Sequence, residues 1–298
     1  MENDIEEIAK HKKKVAFYSV LAAIFITCGK LIVGLLTLSL GILSEALHSG
    51  LDLIAALITY FSVKISDKPA DEEHNYGHGK MENLSALIQT VLLLITCFWI
   101  IYEGLSRLIT GEIHIEVNVW SYIVIISSII IDFSRARALK KAAIKHNSQA
   151  LEADALHFST DIWSSSIVLF GLILSNYGYY YADSIAGLGV AMIVIWVSLK
   201  LGKRAIDVLL DKSPDDKKEM VYEILSNYDE ITHFHNVKIR TSGADTFIEM
   251  NIHVEPNMSI DKAHKIAHKI ENKLKKKIQR CTVHIHTEPE KIERDNNE

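Results

Sequence analysis

Runs of Ile, Leu, Val and Phe dominate the chain from Val15 to about Leu201, broken at intervals by short polar segments. A membrane-crossing helix needs about 20 mostly apolar residues. The pattern predicts six such spans: Val15–Leu36, Ile42–Ile65, Leu84–Leu108, Val119–Phe133, Leu151–Leu174 and Ile185–Leu201. The fourth, "VWSYIVIISSIIIDF", is short and ends on Asp132; continuation into "SRARAL" gives it full length. After span six the period changes. "DKSPDDKKEMVYEILSNYDEI" begins with a Ser-Pro-Asp helix opening, and "HNVKIRTSGADTFIEMNIHVEP" alternates as two strands around "SGAD". "SIDKAHKIAHKIENKLKKKI" is an amphipathic basic helix and "CTVHIHTEP" a last strand. The pattern therefore divides the chain into a helical membrane part over 1–207, an α-β-β-α-β domain over 208–290 and a disordered tail over 291–298. A domain of about 80 residues folds alone only marginally, which favours a dimer.

Charge sets the orientation. "KHKKK" (Lys10–Lys14) precedes span one, "VKISDKPADEEHNYGHGK" joins spans two and three, "RARALKKAAIKH" joins four and five, and "KLGKR" follows six. The alternate connections "TLSLG", "TGEIHIE" and "SNYGYYYAD" contain no Lys or Arg. Basic loops stay in the cytoplasm, so both termini are expected there, on an integral protein of a prokaryotic cell membrane. The N-terminus is acidic and then basic, without a small-residue cleavage site, which argues against a signal peptide. Cys28, Cys97 and Cys281 have no close pairing and read as small buried residues rather than a disulfide framework or a zinc knuckle.

Two apolar spans carry nearly the same polar sentence. "EALHSGLD" (Glu45 to Asp52) and "DALHFSTD" (Asp154 to Asp161) each place an acid, a His and a second acid at i, i+3 and i+7, one stripe of a helix. Ionisable groups inside spans are rare and face a bundle interior or a watery cavity. His48/Asp52 and His157/Asp161 are i, i+4 pairs on helices that the topology makes antiparallel. Together they offer two nitrogens and two carboxylates, enough for a tetrahedral shell; the structural alternative is an interhelical polar contact. Two carboxylates neutralise a dication, and the same groups take protons once it leaves. Zinc accepts such a shell, whereas magnesium and calcium prefer more oxygen; iron, cobalt and nickel also accept imidazole.

These pairs, the loop "PADEEHNYGHGK", the basic interhelical connection and the ending "HIHTEP" resemble the cation diffusion facilitator family of divalent-metal/proton antiporters over almost the whole chain. The resemblance implies six transmembrane helices plus a cytoplasmic ferredoxin-like α/β domain, assembled as a homodimer. It implies export of zinc, the ion generally carried by members with His in both pairs. Its transport ligands fall here on His48, Asp52, His157 and Asp161. A broader range that includes cadmium, cobalt, iron or manganese is the alternative within the family. A second metal is implied at Asp71, His74 and His78 in the loop. A regulatory binuclear site is implied at His235, His253, His264, His286 and Glu288, the last being Asp in many members. Lys80 matches the family lysine that pairs with an acid below span six, here Asp211, at the dimer interface. His233, His268 and His284 match no family role and read as solvated.

Other classes fit less well. A channel would use the same ligands, but a site that neutralises its ion favours binding over throughput. A membrane metalloenzyme needs an open coordination position and a general base; no H-E-x-x-H is present, and only Ser and Thr are expected around the pairs. No Walker-type phosphate loop occurs, so no nucleotide drives transport. The basic helix is expected inside its compact domain rather than on nucleic acid. The outlying acids of the stripes, Glu45 and Asp154, are expected either as helix-start acids or at the outer and inner vestibules, focusing cations at each mouth. If imidazole sets selectivity, His48→Asp relaxes it: flux into proteoliposomes should show smaller differences among zinc, cadmium and iron than the wild type.

Overall fold

A computed structural model describes residues 2–37, 40–110, 119–175 and 182–290. Most of "TGEIHIE" and of "SNYGYYYAD" falls outside the described residues, as do residues 38–39 of "TLSLG" and the tail 291–298. The chain divides into two compact units, Met1–Ile206 and Asp207–Glu298.

The first unit contains long helices: α1 (Glu2–Thr37), α2 (Leu40–Ser66), α3 (Lys80–Thr110), α4 (Val119–His146) and α5 (Gln149–Ser175), followed by α6 (Ala182–Leu209), which continues into the second unit. Among the described residues three segments are long and apolar enough to cross a membrane, Glu6–Leu36, Ala46–Ser66 and Lys80–Ser106. α4 runs well past Phe133, through the basic sequence that follows it. α1 packs on α2 and α4, α4 on α5, and α3 on both α2 and α5. The shared core is built largely of small residues, among them Ala16, Ala23, Ala56, Ala136, Ala142, Ala143 and Ala155, with Leu139, Leu151 and Phe158 filling between them. Small side chains let helix backbones approach where lipid supplies no hydrophobic drive to association.

Two chain reversals use left-handed residues. Asn147 (φ 49°) ends α4, the Ser148 N–H bonding back to the Ala143 carbonyl 3.1 Å away. Asp211 (φ 58°) closes α6 in the same way, with the Lys212 N–H donating to the Asp207 carbonyl at 2.8 Å. Asn and Asp tolerate this conformation better than most residues. Ser148 then opens α5, its Oγ accepting from the Leu151 N–H at 3.4 Å.

The second unit adds α7 (Asp215–Leu225), β1 (His233–Ser242), β2 (Asp245–Val254), α8 (Ile260–Lys277) and β3 (Cys281–Pro289). The sheet order is β1-β2-β3, with β1 antiparallel and β3 parallel to β2. α8 is the crossover that parallel pairing requires. Alternation decides which face is covered. Ile248, Met250 and Ile252 point into a core shared with Ile266, Ile270 and Leu274 of α8 and Val221, Ile224 and Leu225 of α7. The intervening positions Glu249, Asn251 and His253 belong to the opposite face. A bulge between His235 and Lys238, with Asn236 at φ 53°, keeps Phe234 and Ile239 on the core side.

Ile270 is fully buried between α8 and the sheet. Ile270→Ala should destabilise this unit by about 2–5 kcal/mol. Hydrogen exchange should then accelerate at the β2 amides of Ile248 and Met250 while the amides of α1 to α5 stay unchanged.

Candidate metal centres

Helical spacing projects His48 and Asp52 from α2, and His157 and Asp161 from α5, into one space. The pairing is crosswise. His157 Nε2 lies 3.0 Å from Asp52 Oδ1, and His48 Nε2 lies 3.8 Å from Asp161 Oδ1. Within each helix the His–Asp separations are both 3.9 Å. Each His therefore faces the other helix's Asp, as antiparallel helices require. Ligand atoms about 2.0–2.2 Å from a tetrahedral metal lie roughly 3.3 Å apart, so the observed separations bracket a shell that needs little adjustment. Ligand atoms of His48, Asp52 and Asp161 all lie within 4.8 Å of one another. Asp161 Oδ2 and His157 Nδ1 are buried without a hydrogen-bond partner, an arrangement that a bound cation and its polar surroundings complete.

The surroundings are more charged than the Ser and Thr residues expected from the sequence. Buried Lys30 on α1 donates to Ser49 Oγ at 2.9 Å, beside His48. Buried Arg135 on α4 donates to Asp132 Oδ1 at 2.9 Å and to Ser19 Oγ at 3.2 Å. Its guanidinium lies 3.5 Å from the ring centre of Phe158. Ser19 in turn donates to Asp154 Oδ2 at 3.3 Å. Lone cations in apolar spans are themselves a signal of internal pairing, and Lys30 carried that signal in the sequence.

Asp154 corrects an expectation. It is 0% exposed, so in this conformation it neither faces headgroups nor lines an open inner mouth. The cause is its position: one turn before His157, it is turned into the bundle, where Ser19 of α1 donates to it. The side chain of Glu45 lies outside the described residues.

In the loop between α2 and α3, Asp71 organises a turn. Its Oδ1 accepts the His74 N–H at 2.6 Å and the Glu73 N–H at 3.1 Å. His74 Nδ1 is 3.2 Å from Asp71 Oδ1, His78 Nε2 is 3.5 Å from Asp71 Oδ2, and the two rings are 4.3 Å apart. Gly77, at φ 71°, supplies the left-handed residue that turns the chain back between the histidines. The structure thus brings all three expected loop residues together. The stems of the loop are clamped by one ammonium. Lys12 Nζ, almost fully buried, reaches Asp67 Oδ1 at 2.5 Å and Glu82 Oε1 at 2.9 Å. Ser66 and Ser148 also donate to Glu82. Sequence period alone does not reveal this clamp, because residues 12, 67, 82 and 148 share no local period.

The third cluster lies on the sheet face away from the helices. Register aligns His235 with Asn251 and His286 across the three strands, and His233 with His253 and Glu288. Glu288 is the hub. Its Oε2 lies 3.3 Å from His253 Nε2 and 4.0 Å from His235 Nε2, and its Oε1 lies 3.6 Å from His286 Nε2. The Asn251 amide donates to Glu288 Oε1 at 2.6 Å and fixes the carboxylate. His264 is not among the converging residues; its ring packs 4.4 Å from His268 on α8. His233, expected to be solvated, is exposed, with its ring 5.6 Å from that of His253 at the cluster's edge. Asp211 lies 3.9 Å from Arg240 within its own unit; its expected partner, Lys80, belongs to the other unit.

Comparison with known proteins agrees over both units. The family model for the cation efflux transmembrane domain matches residues 16–210, and that for the cation efflux protein cytoplasmic domain matches 213–290. The cation-efflux pump FieF of Cronobacter sakazakii is 30% identical over 277 residues, 93% of this chain and 92% of that protein. The uncharacterized transporter MJ0449 of Methanocaldococcus jannaschii is 33% identical over 276 residues, 92% of this chain and 97% of its own. Among solved structures, the metal-bound C-terminal domain of the CzcD transporter from Thermotoga maritima is 33% identical, covering 25% of this chain and 87% of that one, with a TM-score of 0.24.

The loop turn gives a pH test. The His74 backbone N–H is the largest influence holding the Asp71 carboxyl below its usual 3.8, with the His74 side chain adding to it. A depressed carboxyl contributes its stabilisation above the unfolded value and loses it as pH falls through the lower, folded one. The His74 amide should therefore stay protected from exchange from neutrality down to about pH 4. Asp71→Ala should remove that protection at every pH.

Proposed function

The chain belongs to the cation efflux family, transporters and not enzymes, and from that premise we propose that it exports zinc from the cytoplasm in exchange for protons. The observation that carries this reading is the crosswise convergence of His48, Asp52, His157 and Asp161, with separations of 3.0 to 3.9 Å. Two imidazoles and two carboxylates match the tetrahedral N/O preference of zinc. The paired carboxylates cancel the ion's charge in a low-dielectric bundle, where an uncompensated charge is costly.

Exchange follows from the ligand chemistry. Imidazole and carboxylate bind metal only through unprotonated atoms, so loading the ion expels protons and protonation expels the ion. Four ligands on two helices can be turned toward either side of the membrane as one unit. A proton gradient directed inward then draws metal outward. Six spans with both termini cytoplasmic, inferred from the basic connections, place the loop site and the sheet cluster on the side from which metal is taken. A homodimer through the cytoplasmic domain, braced by a Lys80–Asp211 pair, fits this arrangement. Metal at His235, His253, His286 and Glu288, joined by His264 when two domains meet, would tune transport to cytosolic zinc.

Asp161→Ala tests the assignment in proteoliposomes with an imposed pH gradient. It leaves the remaining ligands with one negative charge for a dication, and zinc affinity at this site should fall at least about a hundredfold, roughly 3 kcal/mol. Gradient-driven zinc flux should disappear while metal binding at the sheet cluster persists. Wild-type flux in this variant overturns the site, and undiminished flux without a pH gradient favours a channel over an exchanger.

A further inference from the structure

His253 sits at the centre of the sheet cluster with its two ring nitrogens in different company. Nε2 faces Glu288 at 3.3 Å, on the side where His235 and His286 also converge. Nδ1 is buried and makes no hydrogen bond in this structure. The nearest carboxylate oxygen paired with it is Glu290 Oε2, 3.8 Å away. A buried ring nitrogen without a partner costs free energy unless something completes it.

Glu290 is held in place. Its N–H donates to the Val254 carbonyl at 2.8 Å, extending the β2–β3 pairing by one residue. Its Oε2 accepts the Thr232 hydroxyl at 2.5 Å, while the Thr232 N–H donates to the His253 carbonyl at 3.1 Å. Two chain segments thus hold Glu290 beside the far edge of the His253 ring, away from Glu288. Glu288 and Glu290 lie on either side of Pro289, and they address opposite nitrogens of one imidazole.

A metal held through Nε2 leaves the hydrogen of a neutral imidazole on Nδ1. A carboxylate that accepts this hydrogen fixes the ring's orientation and makes Nε2 a stronger donor to the metal. We propose that Glu290 is the positioning residue of the cytoplasmic cluster: it accepts the Nδ1 hydrogen of His253 and so aims Nε2 at a transition-metal dication shared with Glu288. This rests on the metal-binding reading of that cluster. Glu290 acts through His253 and does not itself touch the ion. The gap from 3.8 Å to hydrogen-bond length closes by a small tilt of the ring, and metal at Nε2 supplies the pull for it.

The experiment uses the full chain in detergent, with Asp71→Ala and Asp161→Ala in the background to silence the loop and transport sites. Zinc affinity is read by competition with a chromophoric chelator, and the ligand set by the visible spectrum of bound cobalt(II). Glu290→Ala should weaken zinc binding about 10–100-fold, with unchanged stoichiometry and an unchanged cobalt spectrum. Glu290→Gln keeps an acceptor oxygen and should recover part of the loss. Nitrogen NMR of the His253 imidazole should show the hydrogen on Nδ1 in the parent and shared between the two nitrogens in Glu290→Ala. Such a change does not follow from a purely structural role at the strand ends. Equal affinities in parent and Glu290→Ala overturn the inference, as does a changed cobalt spectrum, which would make Glu290 a ligand. Absence of binding by the parent overturns the metal reading of the cluster, and this inference with it.

Discussion

Carboxylates and imidazoles buried among apolar helices are tolerable only when something of opposite charge or complementary hydrogen bonding meets them, and the architecture of the first unit follows from that constraint. His48, Asp52, His157 and Asp161 cannot be satisfied by their own helices. They require α2 and α5 to approach closely enough for the 3.0 and 3.8 Å contacts between them. Ala46, Ala55 and Ala56 on α2 and Ala153 and Ala155 on α5, all 4% exposed or less, keep these helices slender around the polar stripe. A larger residue at Ala56 or Ala155, which share one core cluster, would disturb the packing that sets the ligand separations.

The same constraint accounts for the charged residues outside the ligand set. Asp132, Arg135, Ser19 and Asp154 form one chain of contacts across α4, α1 and α5, and Phe158, next to His157, carries the guanidinium on its face. Buried ion pairs of this kind add little net stability, because desolvation offsets their attraction. Their effect is positional. Arg135 contacts Asp132, Ser19 and Phe158 at once, which ties α4 and α1 to the helix that carries His157 and Asp161.

At the base of the loop the same constraint applies. Lys12 faces two carboxylates from the two stems, and Glu82 also receives Ser148, the residue that opens α5. The loop that groups Asp71, His74 and His78 is thereby tied to the start of the helix that carries two transport ligands. In the sheet, by contrast, no helix packing is needed to group the histidines. Strand alternation gives them one face, and the covered face supplies the rigidity.

Much of this was legible in the chain. Local period is sufficient where ligands repeat along one element: i, i+4 on α2 and α5, i, i+2 on β1 and β3, three residues within eight in the loop. Apolar length alone placed α2, α3 and α5 within a few residues, whereas α1, α4 and α6 run on into their polar flanks, and "SGAD" placed the hairpin, where Gly243 turns at φ 59°. The basic run after Phe133 continued α4, since nothing in "SRARALKKAAIKH" breaks a helix. Tertiary structure alone decided what depends on approach between distant segments. Asp154 reads as a twin of Glu45 in sequence, yet packing against Ser19 buries it completely. Lys12, Glu82 and Ser148 meet across more than 130 positions of the chain, and Glu290 reaches His253 only because parallel pairing brings the ends of β2 and β3 side by side. Periodicity fixes which residues share a face; which faces meet, and at what distance, is set by the packing of whole elements.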